Sequence, residues 1–187
     1  MPIESERLRL RELRREDYEL MVSLRNDLVT QAWSRTLPPD FTIGMMAKRY
    51  DEREFSVRRD DATFIVEELE TGRAVGYCGY SGLIDRHTAV IGIALLEEVH
   101  GRGYAGEVNE LLLQLLFHEM GLQVVGLWTH SGNPGAVAAA ERSGFRVATR
   151  FREAIFKAGH HYDNLYMDMT REEYYESRPL EDRLGNP

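Results

Sequence analysis

Residues 91–107 read Ile91-Gly92-Ile93-Ala94-Leu95-Leu96-Glu97-Glu98-Val99-His100-Gly101-Arg102-Gly103-Tyr104-Ala105-Gly106-Glu107. An apolar strand, a short polar link, a glycine-rich turn and the start of an apolar helix follow one another directly. Gly101, Gly103 and Gly106 let the backbone turn sharply and approach a ligand without Cβ interference. A helix opening at about Tyr104 adds unpaired N–H groups at its positive dipole end. The stretch suits a phosphate group, and the ligand it calls for carries a pyrophosphate.

Working outward, the run Ala89–Leu95 is almost continuously apolar and implies a strand buried on both faces. After the turn, Val108, Leu111, Leu112, Leu115 and Leu116 form one helical stripe, with Glu107, Glu110 and Gln114 outward and Gly121 as the stop. Val124–His130 is the next strand, which completes a strand-helix-strand crossover of parallel type. Elsewhere the pattern is antiparallel. Leu8–Leu13 alternates as a half-exposed strand, Thr63–Leu69 and Ala74–Leu83 form a hairpin around Glu70-Thr71-Gly72-Arg73, and Phe145–Ile155 with His161–Met169 form a second, turning near Lys157-Ala158-Gly159. Helical periodicity marks Glu16–Leu28 and Thr42–Phe55, separated by a loop broken at Pro38-Pro39, and a thin alanine helix runs through Ala136–Ala140. Arg171–Pro187 lacks clear periodicity and reads as a fraying or docking tail. The fold class is therefore α/β (α+β): a mixed, mostly antiparallel central sheet flanked by helices, with one parallel crossover.

Two cofactor classes compete for the glycine turn, because Gly101-x-Gly103-x-x-Gly106 also satisfies a dinucleotide fingerprint. A nicotinamide site wants an acidic residue roughly 20 positions on, at the end of the next strand. Here that strand ends in Thr129, His130 and Ser131, and only one crossover is readable. Coenzyme A is the better reading.

The chain resembles the GCN5-related N-acetyltransferase (GNAT) superfamily, whose acetyl-coenzyme A signature is Arg or Gln, two residues, Gly, one residue, then Gly or Ala. His100-Gly101-Arg102-Gly103-Tyr104-Ala105 matches it except at the first position. The resemblance continues in Asn133-Pro134-Gly135-Ala136 on a helix ending Glu141-Arg142-Ser143-Gly144-Phe145, in the opening Arg7-Leu8-Arg9-Leu10-Arg11, and in Gly159, Asp163, Asn164 and Tyr166. It looks most like the ribosomal-protein and spermidine acetyltransferase branch, over about residues 5–175, with a tail over about 176–187.

That resemblance implies an acyltransferase that moves an acetyl group from acetyl-CoA to a primary amine, of a small molecule or a protein N-terminus, by direct attack in a ternary complex. Its cofactor contacts fall on backbone groups of Leu95 and Leu96 along the pantetheine, on His100, Gly101, Arg102, Gly103, Tyr104, Ala105 and Gly106 around the pyrophosphate, and on Asn133 and Ala136. The amine must lose a proton before it attacks. His130, with an unperturbed pKa of about 6.5, is a candidate base at a strand end. Glu67 and Glu68 are others, and as neighbours on one strand only one of them can face the site. Relatives often carry a proton-donating Ser or Tyr where Ala136 and Ala140 stand here, so Tyr166, or Tyr162, Tyr77 or Tyr80, is left to protonate the thiolate. The same gap motivates an alternative, a CoA-binding sensor or interaction domain without turnover.

Composition bounds these readings. With 187 residues and 43% apolar content the chain suits one domain spanning 1–187. No apolar run reaches the roughly 18 residues of a membrane span, and Met1–Glu6 is unlike a secretory leader, so a cytoplasmic protein without membrane attachment is expected. The net charge of −8, from 31 acidic against 23 basic side chains, disfavours nucleic acid and favours a cationic acceptor. The lone cysteine, Cys78, reads as a buried inert thiol. No His-Glu-x-x-His or Gly-x-Ser-x-Gly pattern occurs, so no metal and no hydrolase site is expected. The aromatic tail is compatible with a homodimer.

Overall fold

Strand β2 (Leu8–Glu12) turns Leu8 and Leu10 to one side of the sheet and Arg9 and Arg11 to the other, and this division organises the computed structural model. The structure describes residues 3–31, 38–51 and 60–178. The sheet joins β1 (Ile3–Glu4), β2, β3 (Ala62–Glu68), β4 (Ala74–Ile84), β5 (Thr88–Leu95), β6 (Val124–His130), β8 (His160–Thr170) and β7 (Arg146–Lys157) in that spatial order. Every neighbouring pair is antiparallel except β5 and β6, which run parallel.

The first side carries the larger core. Leu8, Leu10, Val66, Ile91, Val125 and Met167 meet Val108, Leu111, Leu112 and Leu116 of α4 (Tyr104–Leu113) and the single π-helical turn Gln114–Glu119 that extends it to Gly121. Gly121 ends the helix in the left-handed region, at φ 68°, where a Cβ is disfavoured. On the same side lie α5 (Pro134–Arg142), through Ala140, and α6 (Arg171–Glu176), through Tyr174. On the opposite side Tyr18 and Met21 of α1 (Tyr18–Asn26) and Met46 of α3 (Ile43–Asp51) close over Ile65 and Tyr77, and the short α2 (Leu28–Gln31) follows α1. Cys78 is buried and burial pushes its thiol pKa up, so it is no nucleophile. Among the described residues no helix is long and apolar enough to cross a membrane.

Some expectations change. Arg171–Glu176 is helix rather than fraying tail, because Thr170 and Glu173 form a reciprocal capping box and Tyr174 packs 4.9 Å from the Phe117 ring. Glu107 does not face solvent. The predicted helix to Phe55 is described to Asp51, and residues 52–55 lie outside the described residues, as do 32–37 of the proline-broken loop.

The Arg9/Arg11 side of β2 holds a charged pin. Arg11 makes a two-pronged pair with Asp17, both bonds 2.8 Å, and donates through Nε to Glu67 at 2.6 Å. Asp17 also accepts the Arg14 N–H, so the pin locks the turn that launches α1 against β2 and β3. Burial alone would raise the Asp17 pKa, but the Arg11 and Arg14 hydrogen bonds outweigh it and hold the carboxyl below its ordinary value. A depressed folded-state pKa stabilises above the unfolded value of about 3.9 and is lost as pH falls through the folded one. Asp17→Asn should therefore lose about 3 kcal/mol at pH 7 by stripping a buried guanidinium of one partner. It should also flatten the decline in stability below about pH 4, both read by urea denaturation across pH.

Candidate functional site

The parallel pair stops early. Pairing of β5 with β6 runs from Thr88↔Val124 to Ile91↔Leu127 and ends there. Beyond that point β5 stays bonded to β4 as far as Leu95↔Gly76, and β6 stays bonded to β8 as far as His130↔Asn164. Each strand thus keeps its outer neighbour while the inner edges, Gly92–Leu95 and Trp128–His130, part into a wedge. The Leu96 N–H donates to the Val75 carbonyl at 2.9 Å. Because successive residues of a strand turn their polar groups to opposite edges, Leu95 and Ile93 point theirs into the wedge. The Leu96 N–H is committed to β4.

The glycine turn closes the wide end of the wedge. Gly101 and Gly103 sit at φ 75° and 85°, left-handed values that L side chains rarely adopt, and Gly103 is the N-cap of α4. A Cβ at Gly101 or Gly106 would meet nothing within 4 Å, so the loop's outer surface is open. The His100 imidazole lies 3.1 Å, through Nε2, from the Leu95 carbonyl, which can only accept. His100 is thus turned back onto the end of β5 and braces the turn instead of extending outward. Tyr104 contributes its backbone at the helix start, while its hydroxyl donates to Glu68 at 2.7 Å as a strut. The exposed Arg102 side chain has its guanidinium 3.8 Å from Glu68.

The candidate bases separate. Glu67 is held by Arg11 and Glu68 by Tyr104 and Thr71, and the Tyr104 hydrogen bond leads in lowering the Glu68 pKa. A carboxylate stabilised as its anion makes a poor base, which weighs against Glu68, while the Glu67 side chain is turned to the Arg11 guanidinium. His130, expected at a strand end, is there and buried, with its ring 5.5 Å from that of Tyr162. Asn133 caps α5 by accepting the Ala136 N–H at 3.0 Å. Tyr166 lies flat over Gly126, the position before the last paired residue of β6. A Cβ at Gly126 would fall 2.2 Å from its hydroxyl, so only glycine admits the ring. Burial leads in raising the Tyr166 pKa, with the Asp168 charge adding to it, so the phenol keeps its proton at neutral pH.

Sequence reasoning missed Trp128. It is the first residue of β6 beyond the pairing, 48% exposed, with its ring 4.9 Å from Tyr166 and 5.9 Å from Phe151. With the exposed Gly92 across the wedge, it forms an aromatic rim on the sheet face opposite α4. A large exposed aromatic in a strand was a signal, but its place at the wedge depends on register.

A parallel strand pair that parts beside a glycine turn and a helix N-terminus leaves a cleft with strand-edge and helix-end amides along it, able to hold an extended anionic ligand. Residues 7–146 match the acetyltransferase (GNAT) domain family, and the chain belongs to that family, as an N-acetyltransferase. It is 28% identical over 171 residues, 90% of this chain and 93% of the other, to an SPbeta prophage-derived N-acetyltransferase, YokL, of Bacillus subtilis. Its fold is similar to a spermidine N-acetyltransferase from Vibrio cholerae solved with CoA and spermine, with TM-score 0.81 and 22% identity, covering 91% of this chain and 99% of that one. It is also similar to a GNAT-family acetyltransferase from Bacillus anthracis, with TM-score 0.75 and 22% identity, covering 92% and 99%.

Gly103→Val should abolish acetyl-CoA binding in calorimetry, because its side chain would stand over the loop. The left-handed φ should cost it about 1–2 kcal/mol of stability. Gly72, at φ 65° in the β3–β4 turn, carries similar strain with open space around it. Gly72→Val should match the stability loss and leave binding intact.

Proposed function

We propose that the chain binds acetyl-CoA with its diphosphate on the Gly101–Ala105 amides and its pantetheine arm as an added strand in the β5–β6 wedge. The acetyl group is passed to a cationic primary amine arriving from the face of Trp128. The observation that carries this reading is the register: pairing ends at Ile91↔Leu127 while both strands continue. The thioester end then rests near Gly92 and Trp128, and attack needs no covalent step on the protein. Holding both reactants at contact distance supplies much of the rate.

Two features favour a cationic acceptor. A cleft of about 500 Å³ lies between α1, α2 and the end of β5, lined by Ser23, Leu24, Asp27, Thr30, Leu96, Glu97 and Glu98. Its carboxylates include Glu97 and Asp27, while Glu98 pairs with Arg73. The aromatic rim offers Trp128, the best of the side chains for cation–π contact. An amine such as spermidine, the substrate of the Vibrio cholerae neighbour, or a protein N-terminus fits this chemistry. His130, the base in this reading, takes the amine's proton directly or through water, and Tyr166 returns one to the departing thiolate, in place of donors that Ala136 and Ala140 lack.

Thiol release from acetyl-CoA, assayed over polyamines, amino sugars and N-terminal peptides, tests the whole. Turnover with at least one amine is expected. Tight CoA binding with no release from any of them would overturn it in favour of a sensor.

Tyr166→Phe should lower kcat by about 10²-fold with acetyl-CoA affinity unchanged. His130→Ala should slow the reaction at pH 7 with the same retention of affinity, and an unaltered pH–rate profile would remove His130 from the mechanism.

A further inference from the structure

The first turn of α4 presents an electrostatic difficulty. Glu107 is a carboxylate one turn from a helix N-terminus that, in the reading above, holds a doubly charged diphosphate. Left alone, its negative charge would repel an anionic ligand held at that end of the helix. The structure answers it with residues a hundred positions away. Arg7, immediately before β2, donates through Nε to Glu107 at 2.9 Å and also through Nη2, while its own N–H reaches the other carboxylate oxygen at 3.1 Å. Ser5 donates its hydroxyl to that second oxygen. Burial pulls the Glu107 pKa upward, and the hydrogen bonds from Ser5 and Arg7 more than reverse it, so this is an ionised, fully engaged carboxylate.

Arg7 has a second use. Its Nη1 donates to the Arg102 carbonyl at 3.1 Å, and its guanidinium lies 4.9 Å over the Tyr104 ring. The Arg102–Gly103 peptide is planar and trans, so a carbonyl drawn toward Arg7 obliges the Gly103 N–H on the same unit to point away from it. That N–H belongs to the signature glycine at the helix cap. Gly103 cannot hold this orientation by side-chain packing, and at φ 85° its backbone is in a region where glycine is at its most permissive. The peptide needs an external restraint. The guanidinium is also the nearest group to a Cβ built at Gly103, 3.7 Å through Nη2.

We propose that Arg7 is a positioning residue for the diphosphate loop: by gripping Glu107 and the Arg102 carbonyl together it neutralises the one acid in the first turn and fixes the Gly103 N–H toward the ligand. The proposal rests on the diphosphate reading of the loop. Arginine is required because a lysine ammonium cannot span two acceptors in a fixed fork. The hairpin of β1 and β2 thus reaches past the edge of the sheet to prearrange a donor that the ligand would otherwise have to order on binding, at a cost in affinity.

Arg7→Lys, Arg7→Ala and Glu107→Gln separate this from other roles. Acetyl-CoA affinity is measured by calorimetry, and turnover is compared between acetyl-CoA and S-acetylpantetheine, which lacks the diphosphate; melting temperatures identify folded variants. Each variant should bind acetyl-CoA about tenfold or more weakly, the cost of a lost charge-assisted hydrogen bond. The fall in kcat/KM should be confined to acetyl-CoA, with S-acetylpantetheine processed at the wild-type rate. Glu107→Gln is the decisive variant. If Arg7 served only as a positive charge for phosphate, removing the neighbouring carboxylate would tighten binding, and tighter binding in Glu107→Gln would overturn the positioning role. Equal losses with both thioesters would reduce Arg7 to a structural brace and overturn it also. Wild-type protein that binds no acetyl-CoA would bring down the loop reading itself, a different result from wild-type binding that the variants share unchanged, which would refute Arg7 alone.

Discussion

The divergence of β5 from β6 is the constraint on which the rest of the molecule depends. A parallel pair abandoned halfway leaves the Ile93–Leu95 and Trp128–His130 edges without the ladder that a continuous sheet would supply, and some of their groups turn elsewhere, the Leu95 carbonyl to His100 and the His130 carbonyl to the Asn133 N–H. Edge groups cost roughly 1–3 kcal/mol each when kept from both water and partners. The wedge is held open because β5 and β6 answer to different outer neighbours, β4 and β8, each bonded to its end. In the proposed reading a ligand arm carrying its own amides completes the pairing, and the defect in the sheet serves as the binding site.

Everything beside the wedge either holds it or is held by it. On one face α4, its π turn and α5 bury the apolar core and deliver the helix N-terminus to the mouth. On the other, α1 and α3 pack on β3 and β4 and leave Trp128 exposed, on the face where the proposed acceptor would arrive. The Arg11–Asp17 pin on that face and the Arg7–Glu107 clamp on the other come from one short segment, Arg7-Leu8-Arg9-Leu10-Arg11, in which Arg7 precedes β2 and does not follow its alternation. One short segment thereby ties both halves of the site to the sheet.

The glycine turn and the helix after it were legible because their determinants are local: φ values that glycine tolerates best and an apolar stripe of helical period. Strands β2 to β8 were legible for the same reason, to within two residues, whereas the short β1 (Ile3–Glu4) was missed. Glu107 was misread as a solvent-facing helix residue, since its partners Ser5 and Arg7 lie a hundred positions away and nothing in the helix's own pattern announces them. That the Leu96 N–H serves β4 was not legible, because which edge a strand residue serves depends on the phase of the hydrogen-bond ladder. Nor was the contact of the His100 imidazole with the Leu95 carbonyl, which depends on how the turn folds back on β5.

Sequence alone determined the class of fold, the parallel crossover, the glycine turn and the family to which they belong, because each of these is written in contiguous residues with a short-range physical cause. Only the tertiary structure decided where β5 and β6 part, that Trp128 stands at that point, that Tyr166 lies over Gly126, and that Arg7 reaches the cap of α4. Those facts are set by register and by contacts between distant segments. A shift of a single residue in a strand would exchange every inward side chain for an outward one, and local pattern carries no record of such pairings.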